Sequence, residues 1–258
     1  MAGNQVKWAF KYRFYPTGAQ AAGRWFASIL CEDRPALPAP VSAAVGIDAG
    51  ITSLVTLSTG EKVTNPKFER KDRVRPARAQ RNLSRKAKGE GTNRNKARWK
   101  VAKVHARIAD RRRDHLHKLT TRLVCENQTL VIEDLAVHNM VKNHSLAPAI
   151  SDASWSTFRS MLEYKASWYG REVVAVDRWF PSSKLCSVCG ALRSKMPLRV
   201  HTWRCSSCGT AHDRDVNAAT NLKAAGLAVS VCGAGVRPQR STPGGQSATK
   251  QKTPRREP

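Results

Sequence analysis

The sequence predicts an α/β protein: a mixed β-sheet flanked by helices, with a small metal-binding module inserted just before the last helix. Three observations predict it. Short apolar runs of strand length alternate with longer stretches of helical period. Two C-x2-C pairs, Cys186/Cys189 and Cys205/Cys208, stand 15 residues apart. The 258 residues carry a net charge of +26 yet are 41% hydrophobic, so apolar material for a core coexists with a strongly cationic surface.

The elements follow in order. Residues 44–64 read as three short strands, broken at the turn signals Ala49-Gly50 and Thr59-Gly60. Lys67–Lys88 is basic and helical in pattern, and the loop Gly89–Thr92 ends it. A second helix is expected from about Asn93 to Glu126. There Val101, Val104 and Ile108, then Leu116, Leu119 and Leu123, recur three or four residues apart. Thr129–Glu133 is a buried strand. Ser151–Tyr169 is an amphipathic helix with Trp155, Phe158, Met161, Leu162 and Trp168 on its apolar side, and Gly170 is its stop. Glu172–Val176 is another strand, Cys186–Cys208 the cysteine-rich insert, and Asp215–Ala225 the last helix. No internal repeat is visible. The boundaries expected are an N-terminal piece and linker at 1–40, the α/β domain at 41–180 with a basic helical hairpin at 67–126, the insert at 181–212, the last helix at 213–228, and a disordered basic tail at 229–258.

The charge is concentrated. Lys67–Arg122 holds 21 Lys and Arg against 5 Asp and Glu, and Arg237–Pro258 holds 6 against 1. Like charges at such density destabilise helices unless an anion neutralises them. A polyanionic partner is therefore expected, nucleic acid rather than an anionic membrane, because no amphipathic anchor accompanies the charge. No apolar run reaches about 18 residues, so no membrane span is expected. Lys7, Lys11 and Arg13 interrupt the N-terminus, so no secretory signal is expected either, and the protein reads as intracellular.

Two C-x2-C knuckles at this spacing predict one structural zinc held by Cys186, Cys189, Cys205 and Cys208, since four thiolates close a tetrahedron. Disulfides fit less well without a secretory signal, and a redox motif would not come twice at ribbon spacing. His201 and His212 lie nearby and are read as non-ligands. Cys31, Cys125 and Cys232 are read as plain thiols. Acids are scarce, and several stand at element ends: Asp48 after one apolar strand, Glu133 and Asp134 after another, and Asp213 and Asp215 flanking Arg214 at the start of the last helix. A carboxylate at the end of a buried strand needs compensation, and divalent metals for phosphodiester chemistry supply it. Neighbours in a strand face opposite ways, so only one of Glu133 and Asp134 can join Asp48, and periodicity does not choose.

The segments VGIDAGITSLVTLS, LVIEDL, DRWFPSSKLCSVCG and WRCSSCGTAHDRDVNAATNL resemble the C-terminal half of TnpB-type proteins. These are the OrfB accessory transposases of bacterial insertion sequences, relatives of type V CRISPR effectors. The resemblance runs in one order from about Val45 to Leu222. It implies an RNase H-like (RuvC) nuclease domain with an inserted zinc ribbon. It also implies Asp48, Glu133 and Asp215 as the catalytic carboxylates holding Mg2+ or Mn2+, with Asp134 and Asp213 as flanking residues. It implies DNA and a guide RNA as partners, and a bacterial cytoplasmic, nucleoid-associated location. Lys7–Gln20 resembles the family's opening strand and turn. Only 13 residues, Glu32–Ala44, with three prolines among them, then separate Cys31 from Val45, where the family has its recognition lobe. The expected function is a metal-dependent DNA endonuclease of a transposon, cutting by a two-metal mechanism. The alternative is an inactive nucleic-acid-binding remnant that uses the ribbon and the basic helices.

Overall fold

A computed structural model describes residues 6–9, 30–33, 38–39, 41–86, 91–197 and 199–232. The expected tail lies outside them from residue 233 onward, as do the loop at 87–90 and most of the N-terminal piece. Strands β1 (Val6–Ala9) and β2 (Leu30–Asp33) pair antiparallel in a ribbon of their own.

The central sheet has five strands in the order β5-β4-β3-β6-β7. Strands β3 (Ala44–Ala49), β4 (Ser53–Leu57) and β5 (Lys62–Thr64) form an antiparallel meander. Strand β6 (Thr129–Glu133) pairs parallel with β3, and β7 (Glu172–Val176) pairs parallel with β6. The helices are α1 (Phe68–Asp72), α2 (Val74–Ser84), α3 (Thr92–Glu126), α4 (Val137–Met140), α5 (Ala147–Ala153), α6 (Trp155–Tyr169) and α7 (Arg214–Cys232). Between β7 and α7 a hairpin of β8 (Thr202–Arg204) and β9 (Ala211–Asp213) belongs to the cysteine-rich insert.

The two faces of the sheet follow from the period of two. Val45, Ile47, Leu130 and Ile132 share a buried core with Leu116, Leu119 and Leu123 of α3 and with Phe158 and Leu162 of α6. Val131 points the other way and is buried with Val174, Val176 and Leu222 under α7. Here the approach is close enough to exclude side chains. A Cβ on Gly46 would run into the carbonyl oxygen of Ala219 and stand 2.7 Å from the amide nitrogen of Lys223. A Cβ on Gly226 would run into the methyls of Val131. The last helix, expected over Asp215–Ala225, continues to Cys232, with Gly226 inside it as a contact point with β6.

Two other helices depart from the sequence reading. The segment expected as one helix from Ser151 breaks at Ser154, which adopts a left-handed conformation (φ 53°) between α5 and α6. The Lys67–Lys88 segment divides at Arg73 into α1 and α2. The reason for the short α1 lies far away in sequence. The buried carboxylate of Asp152 in α5 accepts the amide of Glu69 at 3.2 Å and Arg112 of α3 at 2.8 Å, fixing the first turn of α1 against the bundle. Lys165 of α6, also buried, donates to the His117 carbonyl and to the hydroxyls of Thr120 and Thr121, tying α6 to α3. Burial pushes its ammonium down to about 8.

Candidate active site and metal centre

The C-terminal ends of the parallel strands β3 and β6 lie side by side, with Ile47 in register with Ile132. Asp48 and Glu133 are the next residues on. Asp48 is in phase with Gly46, and Glu133 with Val131, so both belong to the face that α7 covers. Ala219 lies one helical turn beyond Asp215, and its carbonyl rests against Gly46. Strand and helix thus bring Asp215 toward Asp48. The grouping shows in the electrostatics. Burial, followed by the charges of Asp215 and Glu133, pushes the Asp48 carboxyl up to about 8, and Arg214 opposes them. Burial, then Asp134, raises Glu133. The three carboxylates nevertheless stay wider apart than the cysteine cluster described below.

Asp134 and Asp213 have other partners. Asp134 accepts Arg159 at 2.7 Å and Arg178 at 2.6 Å, and these two hydrogen bonds hold it below the usual carboxylate range. Burial pushes Asp213 up, but the Lys62 ammonium at 2.7 Å and the amides of Val216 and Asp215 outweigh it, so it sits low. Asp213 also caps α7, accepting the amides of Asp215 and Val216 at 3.1 Å. Lys62 lies 3.9 Å from Asp215 as well, a counter-charge at the site that nothing in the sequence pattern signalled. A cleft of about 1370 Å³ opens beside the group, lined by Glu133, Asp134, Arg159, Arg178 and Phe180 among others.

The four sulfurs of Cys186, Cys189, Cys205 and Cys208 lie within 4.8 Å of one another. Among the described residues this is the one such His, Cys, Asp or Glu group. The two knuckles are built alike. Gly190 and Gly209 take left-handed conformations (φ 72° and 71°), and their amides return to the carbonyls of Cys186 and Cys205. The sulfurs converge to 3.7 Å (Cys186–Cys208) and 3.6 Å (Cys189–Cys205), as a tetrahedral ion requires. His212 stands outside this set. Its Nε2 lies 3.1 Å from the Cys186 sulfur, and its ring packs on Trp203 at 4.7 Å, the position of a second ligand shell.

Ribbon and carboxylates are joined through α7. The buried Asn217 accepts the Ser187 amide at 3.0 Å and donates to the Leu185 carbonyl at 2.7 Å. Asn221, one turn on, donates to the carbonyls of Ser182 and Leu185. The Arg214 amide donates to the His201 carbonyl at 2.7 Å. These asparagines went unnoticed in the sequence, although their four-residue spacing on the Asp215 helix was a visible sign.

Known proteins carry the same pattern. The family described as "Probable transposase" (OrfB_IS605) matches residues 28–144, and the one described as "Cas12f1-like, TNB domain" matches residues 155–222. A Streptomyces pristinaespiralis protein named "Putative RNA-guided DNA endonuclease" is 68% identical over 236 residues, 91% of this chain and 58% of that protein. InsQ of Escherichia coli K12, which bears the same description, is 37% identical over 233 residues, 84% of this chain and 58% of that protein. The chain therefore spans little more than half the length of these relatives. Among solved structures, Cas12f1 in a complex with its guide RNA and target DNA has a similar fold, with a TM-score of 0.50 and 16% identity over 76% of this chain and 52% of that one. The chain belongs to the TnpB (OrfB) family of transposon-encoded proteins.

Proposed function

We propose that the chain carries a RuvC-like, divalent-metal-dependent endonuclease centre acting on DNA, with Asp48, Glu133 and Asp215 as its metal-holding carboxylates. The observation that carries this reading is their origin. Acids from the ends of two parallel strands and the start of a helix share one face, and Asp48 is pushed up to about 8 by burial and by the other two. Lys62 and Arg214 only partly offset such a group, and its all-oxygen donor set suits Mg2+ or Mn2+. A pair of such ions would supply polarisation of an attacking water and stabilisation of the leaving oxygen of a phosphodiester. Asp48 and Asp215 would hold the ions, and Glu133 would ligate one of them and help orient the water. Lys62 keeps Asp215 from swinging away. Exposed Lys and Arg of α2 and α3 hold the nucleic-acid backbone without reading its sequence.

The zinc we assign to the four cysteines is structural, because its four sulfurs leave no open position. A guide RNA and the DNA substrate are part of the proposal, supported by the relatives' names, and a nucleoid-associated location follows only from DNA as the substrate. No helix among the described residues is long and apolar enough to cross a membrane. The test incubates the purified chain with Mg2+ or Mn2+ and labelled single- and double-stranded DNA beside an Asp48→Asn control. Metal-dependent product absent from the control is expected. A second reading, binding without cleavage, is favoured by the charge of Lys67–Arg122. Under it DNA is bound, and neither wild type nor control gives product.

A further inference from the structure

Trp179 is the most exposed large apolar side chain among the described residues, 84% open to solvent, yet its backbone is firmly held. Its amide donates to the Asp177 carboxylate at 2.8 Å, and the Phe180 amide donates to the Asp177 carbonyl at 3.0 Å, closing a tight turn directly after β7. The side chains on either side of Trp179 are anchored. Phe180 packs against the Val131–Leu222 cluster, and Arg178 is pinned to Asp134. An indole held out between two anchored neighbours is presented, not left over. In a protein without function at this turn, the Phe180 contact would be enough to hold the chain.

Its position says what it is presented to. Glu133 is paired in register with Val176, and Asp134 donates its amide to the Val176 carbonyl. Trp179 follows three residues later, so it stands at most about 11 Å along the chain from the strand position beside Glu133. Arg178 gives one nitrogen to Asp134, and its side chain remains 38% exposed. A cation and a flat aromatic face, side by side at the lip of an acidic cleft, match the repeating unit of a single nucleic-acid strand: phosphate, then base. We propose that Trp179 is a stacking platform for a base of the strand the carboxylates act on, and that Arg178 takes an adjacent phosphate. This rests on the phosphodiester reading above and adds to it a residue that positions the strand. Stacking is indifferent to base identity, so the platform confers a demand for an unpaired base rather than for a sequence.

The test is a binding measurement without added divalent metal, so it does not depend on cleavage. A single-stranded oligonucleotide of about ten nucleotides is titrated into the full chain, into Trp179→Ala and into Trp179→Phe, beside an abasic strand with the same number of phosphates. The side chain is exposed, so all three proteins are expected to keep their zinc and their melting temperature. Trp179→Ala should bind the oligonucleotide about 5- to 150-fold more weakly, and Trp179→Phe close to wild type. The abasic strand should bind all three alike. The difference in fluorescence between wild type and Trp179→Phe isolates Trp179 from the other tryptophans, and its quenching by bases but not by the abasic strand is expected. Binding by Trp179→Ala within about twofold of wild type overturns the platform. So does equal quenching by the abasic strand, which would leave Trp179 to a protein partner. If Asp48→Asn cuts DNA as well as wild type, the nuclease reading falls while the stacking result stands. If Trp179→Ala binds normally and cleavage still needs Asp48, the platform alone falls.

Discussion

Asp48 holds its proton in the folded chain up to about 8, whereas an unfolded aspartate loses it near 3.8. The folded state thus binds a proton that the unfolded state has already released. This contribution to stability is complete below about pH 4 and is lost as the pH climbs toward 8. An amide in place of this carboxyl has no charge to bury. The Asp48→Asn protein, free of added metal, should therefore melt close to wild type at pH 4 and progressively above it toward pH 8, at on the order of 2–4 °C for each kcal/mol. A melting difference that does not grow with pH would show that the carboxyl is not buried among like charges. Gly46, two residues earlier, permits the contact that brings Asp215 close. Gly46→Ala places a methyl against the backbone of Ala219 and Lys223, which cannot yield as a side chain would. A loss of about 1–3 kcal/mol is expected in denaturant unfolding, with cleavage falling more steeply than stability because α7 is displaced.

Among the elements, α7 has the most attachments, and α1 shows how a distant residue sets a short helix. Asn217→Ala with Asn221→Ala leaves the buried carbonyls of Ser182 and Leu185 without donors, at about 1–3 kcal/mol per lost partner. The ribbon should then keep its zinc but become open to proteolysis between residues 181 and 212. Protection equal to wild type would mean that the asparagines do not dock it. Zinc removal should go further and lower cleavage too, since the ribbon holds the start of the helix that bears Asp215. Asp152→Ala leaves the Glu69 amide without its acceptor and Arg112 with only the Glu69 carboxylate at 3.7 Å, and a drop of about 1–3 kcal/mol is expected. The five strands of the central sheet, α3 and the cysteine knuckles were legible in the sequence, because periodicity and spacing are local properties. The docking asparagines, Asp152 and Lys165 were not, because their partners lie between 30 and 83 residues away and a polar side chain gives no sign of burial before the fold is known. Glu133 and Asp134 show the boundary between the two cases. Alternation said that only one of them can join Asp48, and the contacts of Gly46 with Ala219 and of Gly226 with Val131 show which face α7 covers.

For the molecule as a whole, charge sets the outer behaviour and chain order the inner. With 21 basic against 5 acidic residues between Lys67 and Arg122, nucleic-acid affinity should fall steeply with salt. If about 6–10 phosphates are engaged, the loss between 50 and 200 mM is roughly 10³–10⁵-fold, measurable by titration on unrelated sequences, and a flat response would exclude backbone contacts as the main attraction. The inner consequence belongs to α7. It covers β3 and supplies Asp215, yet it is the last element described in the chain. A ribosome making this protein delivers Asp48 early and Glu133 midway, on strands whose α7-facing side is still bare. Under the proposed function, a polypeptide that has not yet passed Asp215 has no third acid, no cover and no ribbon dock, and should cling to nucleic acid through its basic helices without the means to cut it. A protein released after residue 213 should reproduce that state: salt-sensitive binding and no product.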